Sequence, residues 1–406
     1  MNNGILSGLR VIEGSAFVAA PLGGMTLAQM GAEVIRFDPI GGGIDHGRWP
    51  LTDRGASLFW AGLNKGKKSI AIDLAKPEGQ EIATALITAP GPDAGLFLTN
   101  FPARGWLDYT KLKARRDDLI MLAITGHHDG TTAVDYTVNC AVGFPYVTGP
   151  ANIDAPVNHV LPAWDAITGV TAASGLLAAE RHRLKTGEGQ LVTLALSDVA
   201  YAMAGNLGFI GEVEINGAER PAYGNYLYGG FGRDFVTRDS KRVMIVALTL
   251  RQWQSLLKST GLAEAMARIA AKHGLKTLDD EGDRFRARED IAAAFAPWIA
   301  ARDLAEIAKA FDATGACWGP YQSFAEMVAN DPRCSPANPM FARIDHPGIG
   351  SILTPASPLD FSSHERLAPQ PAPRLGAQTD EILEGLLGLS PGEIGRLHDA
   401  KIVAGT

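Results

Sequence analysis

Short apolar runs recur along the first two hundred residues, each ending in a polar or glycine-bearing turn. Residues 9–13, 33–37, 70–74, 96–101 and 119–125 are short, mostly apolar runs that read as strands, the last of them apolar up to its final Thr125 like a strand covered on both faces. Residues 22–31, between the first two runs, have helical spacing. The chain therefore opens as a β-α-β unit, and its repetition predicts a parallel α/β sheet. A longer helical pattern follows, with apolar residues at Ile167, Val170, Ala173 and Leu177. It ends in a basic turn at residues 181–185 and stops at Gly187-Glu188-Gly189. Residues 190–197 then read as one more buried strand.

From about Glu212 the texture changes. Residues 223–233 are rich in Gly and Tyr, and 235–247 read as a hairpin turning at Asp239-Ser240. Helical spacing runs from Gln252 to Thr314, with a charged connection at 279–288. The tail from His346 is rich in Pro and Gly until a last helix over 380–387. This divides the chain into the first part of a large domain (1–205), a linker (206–223), a smaller α+β domain (224–322) and a return to the large domain (323–406).

Composition narrows the function classes. With 46% hydrophobic and 20% charged residues, the 406-residue chain has the makeup of a globular protein. No apolar run reaches 18 residues, and the N-terminal residues show no basic start before an apolar core, so neither a membrane span nor a signal peptide is expected. Cys140, Cys317 and Cys334 fit no disulfide or zinc pattern, which points to a reduced, cytoplasmic setting. A net charge of −7 argues against nucleic-acid binding and makes local basic clusters informative for a polyanionic ligand.

Ligands of open α/β sheets bind beyond the carboxyl ends of the strands, so the turns there are the candidates. Asp38 stands where a dinucleotide site keeps its ribose-binding acid, but the turn after the first strand lacks G-x-G-x-x-G. The Lys65–Lys68 turn precedes a strand instead of a helix, so it is no P-loop; it reads as a solvated turn or a phosphate patch. Adjacent His127 and His128 diverge in an extended segment and lack a third ligand, so no metal is expected. Asp165, at or just before the start of the long helix, has two readings. It caps the helix, or it is a carboxylate nucleophile kept ionised by the helix dipole.

Six segments in order resemble the class III CoA-transferase family. They are Leu6-Ser-Gly-Leu-Arg-Val-Ile12, Leu27-Ala-Gln-Met-Gly-Ala-Glu-Val-Ile35, Asn64-Lys-Gly-Lys-Lys-Ser-Ile-Ala-Ile-Asp-Leu74, Asn100-Phe101, the Asp165 segment through Lys185-Thr-Gly-Glu-Gly-Gln190, and Pro373-Arg-Leu-Gly-Ala-Gln-Thr-Asp-Glu-Ile-Leu383. The resemblance implies a Rossmann-like parallel-sheet large domain built from both chain ends, a small middle domain and an interlocked homodimer. It implies Asp165 as the nucleophile that forms first a mixed anhydride and then an aspartyl-CoA thioester. Positions matching the family's CoA contacts are Val18, Ala19, Ile72, Leu74, Asn100 and Phe101; Arg36 and Arg104 are added as phosphate partners. No cofactor beyond the CoA of the substrate is implied, and no metal.

Departures from the family pattern refine this. Racemases of the same fold carry a His immediately before the acid that is Asp135 here; this chain has Val134, which carries no proton. The usual glycine-rich loop is replaced by the shorter 126–135 stretch, so the acceptor pocket is expected to differ. Arg48, His127 and Asp135 are the candidates for holding the acid. The 228–232 glycines are the nearest counterpart of the family's glycine loop, with no role carried over. The short loop, the Trp164-Asp165 context and the Tyr228-Gly-Gly-Phe-Gly-Arg-Asp-Phe235 run most resemble the branch that moves CoA between the C1 and C4 carboxyls of mesaconyl-CoA, a net isomerisation. The alternatives are transfer between separate acids, racemisation, or CoA binding without catalysis.

Overall fold

A computed structural model describes residues 4–153 and 155–405. Twelve strands are described: β1 Arg10–Gly14, β2 Glu33–Asp38, β3 Lys68–Ile72, β4 Leu96–Thr99, β5 Ile120–Thr125, β6 Leu191–Ala195, β7 Phe231–Val236, β8 Arg242–Ala247, β9 Cys317–Pro320, β10 Phe341–His346, β11 Gly350–Pro355 and β12 Val403–Ala404. The main sheet has the order β12-β3-β2-β1-β4-β5-β6. Its strands run parallel, except that β12 pairs antiparallel with β3. The fold is mixed α/β around a parallel-sheet core.

Alternate residues of these strands feed two cores, as the pleat requires. Ile12, Phe37, Ile70, Phe97 and Met121 pack on one face, with the Pro77–Ile87 helix and the two C-terminal helices. Val11, Val34, Leu98, Ile120 and Leu122 pack on the other face, against Ala20 and Leu27 of the Ala19–Ala28 helix and Ala172 and Leu176 of the Ala163–Thr186 helix. Double coverage is why the strands read as continuous apolar runs. The exception is β6. It lies at the edge of the sheet with Leu191 exposed and burial alternating along it, so it is not the fully buried strand its apolar run suggests.

The described chain divides into two compact units. One holds residues 4–142, 159–216 and 332–405; the other holds residues 143–158 (Asp154 aside) and 217–331. Residues 143–158, read from the sequence as part of the large domain, thus group with the second unit. That unit has the antiparallel sheet β7-β8-β9, with Ser240 at φ 58° in the expected hairpin turn. Its helices pack on Phe231, Ile245, Trp253, Phe295 and Phe311. The charged 279–288 connection contains a helix, Glu281–Arg286, capped by Asp280, whose carboxylate accepts from the Asp283 N–H. Residues 391–399 form a helix the sequence reading missed. Among the described residues no helix is long and apolar enough to cross a membrane.

Candidate active site

The Ala163–Thr186 helix begins two residues before Asp165. Its N-cap is Pro162, which offers no side-chain acceptor. The orphan amides of the first turn are instead met from another element. Asp135, which opens the Asp135–Ala141 helix, accepts from the backbone N–H of Trp164 at 2.7 Å and of Asp165 at 3.1 Å. The cap reading of Asp165 is therefore replaced: Asp135 caps the helix, and the Asp165 carboxylate makes no hydrogen bond among the described residues. Trp164 adds a second contact to the same Asp135–Ala141 helix, its Nε1 donating to Asn139 Oδ1 at 3.1 Å.

Two groups besides burial set the charge of Asp165. Burial pushes its carboxyl up, the Asp135 carboxylate pushes it further, and Arg48 pulls it down, leaving it at about 7. The expectation that the helix dipole keeps it ionised is overtaken by these stronger terms, since the dipole is worth at most about 1–2 kcal/mol. The sign gives a prediction. Activity that needs the carboxylate should rise with pH through about 7, so kcat/KM should climb across that range. Asp135→Asn keeps an oxygen for the helix amides but removes the charge, and should move the inflection to lower pH. An inflection unmoved in the pH–rate profile would show that Asp135 does not tune Asp165.

The approach of two helices fixes where Asp165 stands. Gly169, one turn further along, lies so close to the Ala19–Ala28 helix that a Cβ there would sit 2.7 Å from Ala19 O. Gly23 answers from the other side, its own Cβ position 3.0 Å from Gly169 O. The Asp165 turn is thereby held against the start of the Ala19–Ala28 helix, where Val18 is the half-buried N-cap and Ala19 is buried. Asn100 clamps the preceding loop, with Oδ1 accepting from Ala16 N at 2.9 Å and Nδ2 donating to Ala16 O at 2.8 Å. Phe101 beside it is half-buried and meets Phe37 edge-on.

Other expected contacts fall differently. Ile72 is fully buried in the sheet core and pairs with Val403 of β12, so its side chain is not open to a ligand, while Leu74 is half-buried and packs against that core. Arg36, proposed from the sequence as a phosphate partner, is 1% exposed and fully engaged. Its guanidinium bonds Asp38 at 2.9 Å, Asp45 at 3.0 Å, Asn64 at 3.1 Å and Ser15 O at 3.0 Å, and lies 4.3 Å from the Trp60 ring. The lysine turn is not a phosphate patch either. Lys67 is buried on Glu13, Pro21 O and Asn64, Lys65 is buried and donates to Gly62 O, and Lys68 pairs with Glu33 and Glu381. Burial pulls both Lys65 and Lys67 down to about 8.

The buried set of Glu13, Arg36, Asp38, Asp45 and Lys67 is what sequence reasoning missed. Its signal was present: charged residues at strand ends, in both signs, in a doubly covered sheet. Its consequence is local. Arg36 grips Asp45, and three residues on Arg48 carries the cation that pulls Asp165 down. The Arg48 guanidinium lies 5.5 Å from the Phe17 ring and 5.3 Å from the Phe59 ring, and Phe17 itself has φ 65°. Arg104 is exposed beyond β4. His127 is half-buried after β5, its N–H bonded to Thr131 O in the loop that leads to Asp135. Among the described residues no three His, Cys, Asp or Glu side chains form a metal-binding group.

The geometry thus assembles an unencumbered, partly protonated carboxylate, a second carboxylate held by a helix start, and an exposed arginine. Comparison with known proteins fits that chemistry. The sequence pattern of CoA-transferase family III matches residues 6–379. The 2-methylfumaryl-CoA isomerase of Chloroflexus aurantiacus (strain ATCC 29366 / DSM 635 / J-10-fl) is 62% identical over 403 residues, 99% of this chain and 98% of that protein. The succinyl-CoA:mesaconate CoA-transferase of Haloarcula marismortui is 28% identical, over 94% of this chain and 96% of its own length. A crystal structure of a CAIB/BAIF family protein from Brucella suis superposes with a TM-score of 0.77 at 23% identity, covering 95% of this chain and 100% of that one, a likeness of fold.

Proposed function

Because the chain belongs to CoA-transferase family III, we propose that it moves CoA between the C1 and C4 carboxyls of mesaconyl-CoA (2-methylfumaryl-CoA) through a covalent intermediate on Asp165. The relative that shares 62% of its residues carries that substrate in its name. The observation that supports the mechanism is the Asp165 carboxylate, which has no hydrogen bond among the described residues to break before it attacks and whose carboxyl is raised to about 7.

In this reading Asp165 attacks the thioester carbonyl, forming a mixed anhydride and expelling CoA thiolate. The thiolate then attacks the Asp165 acyl carbon, giving an aspartyl-CoA thioester and freeing the acid as a carboxylate. The acid's other carboxylate attacks that thioester, forming a new anhydride and expelling the thiolate again. Thiolate attack on the acid's acyl carbon regenerates Asp165 and leaves CoA on the second carboxyl. Every step exchanges one activated acyl for another, so activation is conserved. Arg48 draws Asp165 toward its charged form, and we assign to it the carboxylate that is not reacting. We assign the approach for CoA to the segments of Val18, Ala19, Asn100 and Phe101, and a phosphate contact to the exposed Arg104. The working form is a homodimer, as the family resemblance implies.

A second reading, CoA transfer between separate acids, is favoured by the relative named succinyl-CoA:mesaconate CoA-transferase. The two are separated by label. Unlabelled mesaconyl-C1-CoA is incubated with enzyme and excess isotopically labelled mesaconate. Transfer within one retained acid gives the C4 isomer rapidly with almost no label, because the second step is effectively unimolecular. Label entering the product at the turnover rate establishes the intermolecular reading instead.

A further inference from the structure

The chain re-enters the first unit at His159, shortly before Asp165. Residues 159–162 form neither helix nor strand, and Val160 and Leu161 stand 89% and 64% exposed. Apolar burial therefore does little to fix this entry to the nucleophile's helix. The contacts that do are polar, and they come from the Asp135–Ala141 helix. Tyr136 Oη donates to Val160 O at 3.2 Å. Asn139, fully buried one turn after Asp135, receives two donors on its Oδ1: Trp164 Nε1 at 3.1 Å and His159 Nε2 at 2.9 Å.

An indole N–H only donates, so the atom it meets on Asn139 is the amide oxygen, and His159 carries a proton on Nε2 to reach the same atom. The other ring nitrogen, Nδ1, faces Leu161 O, and the imidazole meets the Trp164 ring edge-on at 6.3 Å between centroids. One buried oxygen thus joins the entry segment, the helix start and the neighbouring helix. Asp135 holds the backbone of that same start through the Trp164 and Asp165 amides. The Asp165 carboxylate has no hydrogen bond of its own among the described residues, so its place is inherited from these ties. We propose that His159 is a positioning residue for Asp165, its Nε2–H to Asn139 pinning the entry segment so that the Trp164–Asp165 turn stays seated on Asp135. The proposal rests on the reading of Asp165 as the nucleophile, so its test includes a measurement made without substrate.

His159→Phe keeps a ring beside Trp164 but removes both ring nitrogens, while Asn139 Oδ1 retains the indole as a partner. Once the entry segment loosens, water reaches Asp165 and Asp135 draws away, which weakens both causes that hold its carboxyl up. In substrate-free protein carrying 13C-labelled aspartate, the Asp165 carboxyl signal is identified by its loss in Asp165→Asn. It should titrate at clearly lower pH in His159→Phe than in wild type. With mesaconyl-C1-CoA, kcat should fall on the order of tenfold while KM stays within about twofold. His159→Gln, whose amide nitrogen extends about as far as Nε2, should restore both readings. His159→Asn, with a side chain too short for that contact, should restore neither. An unshifted Asp165 titration in His159→Phe, equal recovery by Gln and Asn, or a raised KM at unchanged kcat would each overturn the proposal. Wild type inactive on mesaconyl-CoA would instead remove the functional reading, with the substrate-free titration still deciding whether His159 positions Asp165.

Discussion

Asp165→Ala should lose at least about a thousandfold in turnover, roughly 4 kcal/mol of barrier, while CoA thioesters still bind. The size follows from the role: without the carboxylate no anhydride forms, and binding and orientation alone remain. The loss must be distinguished from misfolding, and the charge state of Asp165 supplies the control. A carboxyl whose folded value lies at about 7, far above its unfolded value, contributes stability that is present in acid and disappears as pH rises through about 7. Replacing it with a neutral side chain should leave the folded protein at least as stable above that pH, so the variant should melt no lower than wild type at pH 8. Wild type incubated with substrate and quenched with borohydride should be reduced at Asp165 alone, as located by peptide mass. Full activity in Asp165→Ala, or label on another residue, would remove the covalent mechanism.

Much of this arrangement was legible in the sequence. The apolar runs placed the parallel strands to within a residue or two, because strands covered on both faces are apolar on both sides of the pleat apart from a few buried charges such as Glu13 and Arg36. Asp165 stood out because Pro162 and the helical spacing after it mark a helix start. What could not be read was the partner of that start. The capping carboxylate, Asp135, is thirty positions away and belongs to another helix, and no local rule connects them. The basic residues misled for a related reason. Arg36 and Lys67 read as surface cations for a polyanion, yet the fold turns them inward onto Glu13, Asp38 and Asp45. Opposite charges spread over the first 67 residues are indistinguishable in sequence from solvated ones until the strand order is known. Their work is structural: they hold the loop from which Arg48 reaches the site.

The second large effect should come from a residue with no side chain. Gly169→Ala adds one methyl group, and that methyl would meet Ala19 O at 2.7 Å and Leu22 Cβ at 3.0 Å. The first of these is backbone in a helix that is itself packed on the sheet, so it has no rotamer by which to give way. The Ala163–Thr186 helix must therefore move outward, and Asp165, one turn away, moves with it. Overpacking of this kind costs about 1–3 kcal/mol of stability. The effect on catalysis should be larger than that figure implies. Displacing a nucleophile by about 1 Å from its attack geometry costs on the order of a hundredfold in rate, and the shift also lengthens the Asp135 contacts to the Trp164 and Asp165 amides. Gly175→Ala is the matched control. It lies on the same helix, but its added methyl would meet only the end of a flexible side chain, Leu122 Cδ1, at 3.1 Å. The expected result is a fall of about two orders of magnitude in kcat for Gly169→Ala, with a modest loss in melting temperature. Gly175→Ala should keep nearly all its activity. Equal kcat in the two variants would mean that the glycine crossing does not position Asp165.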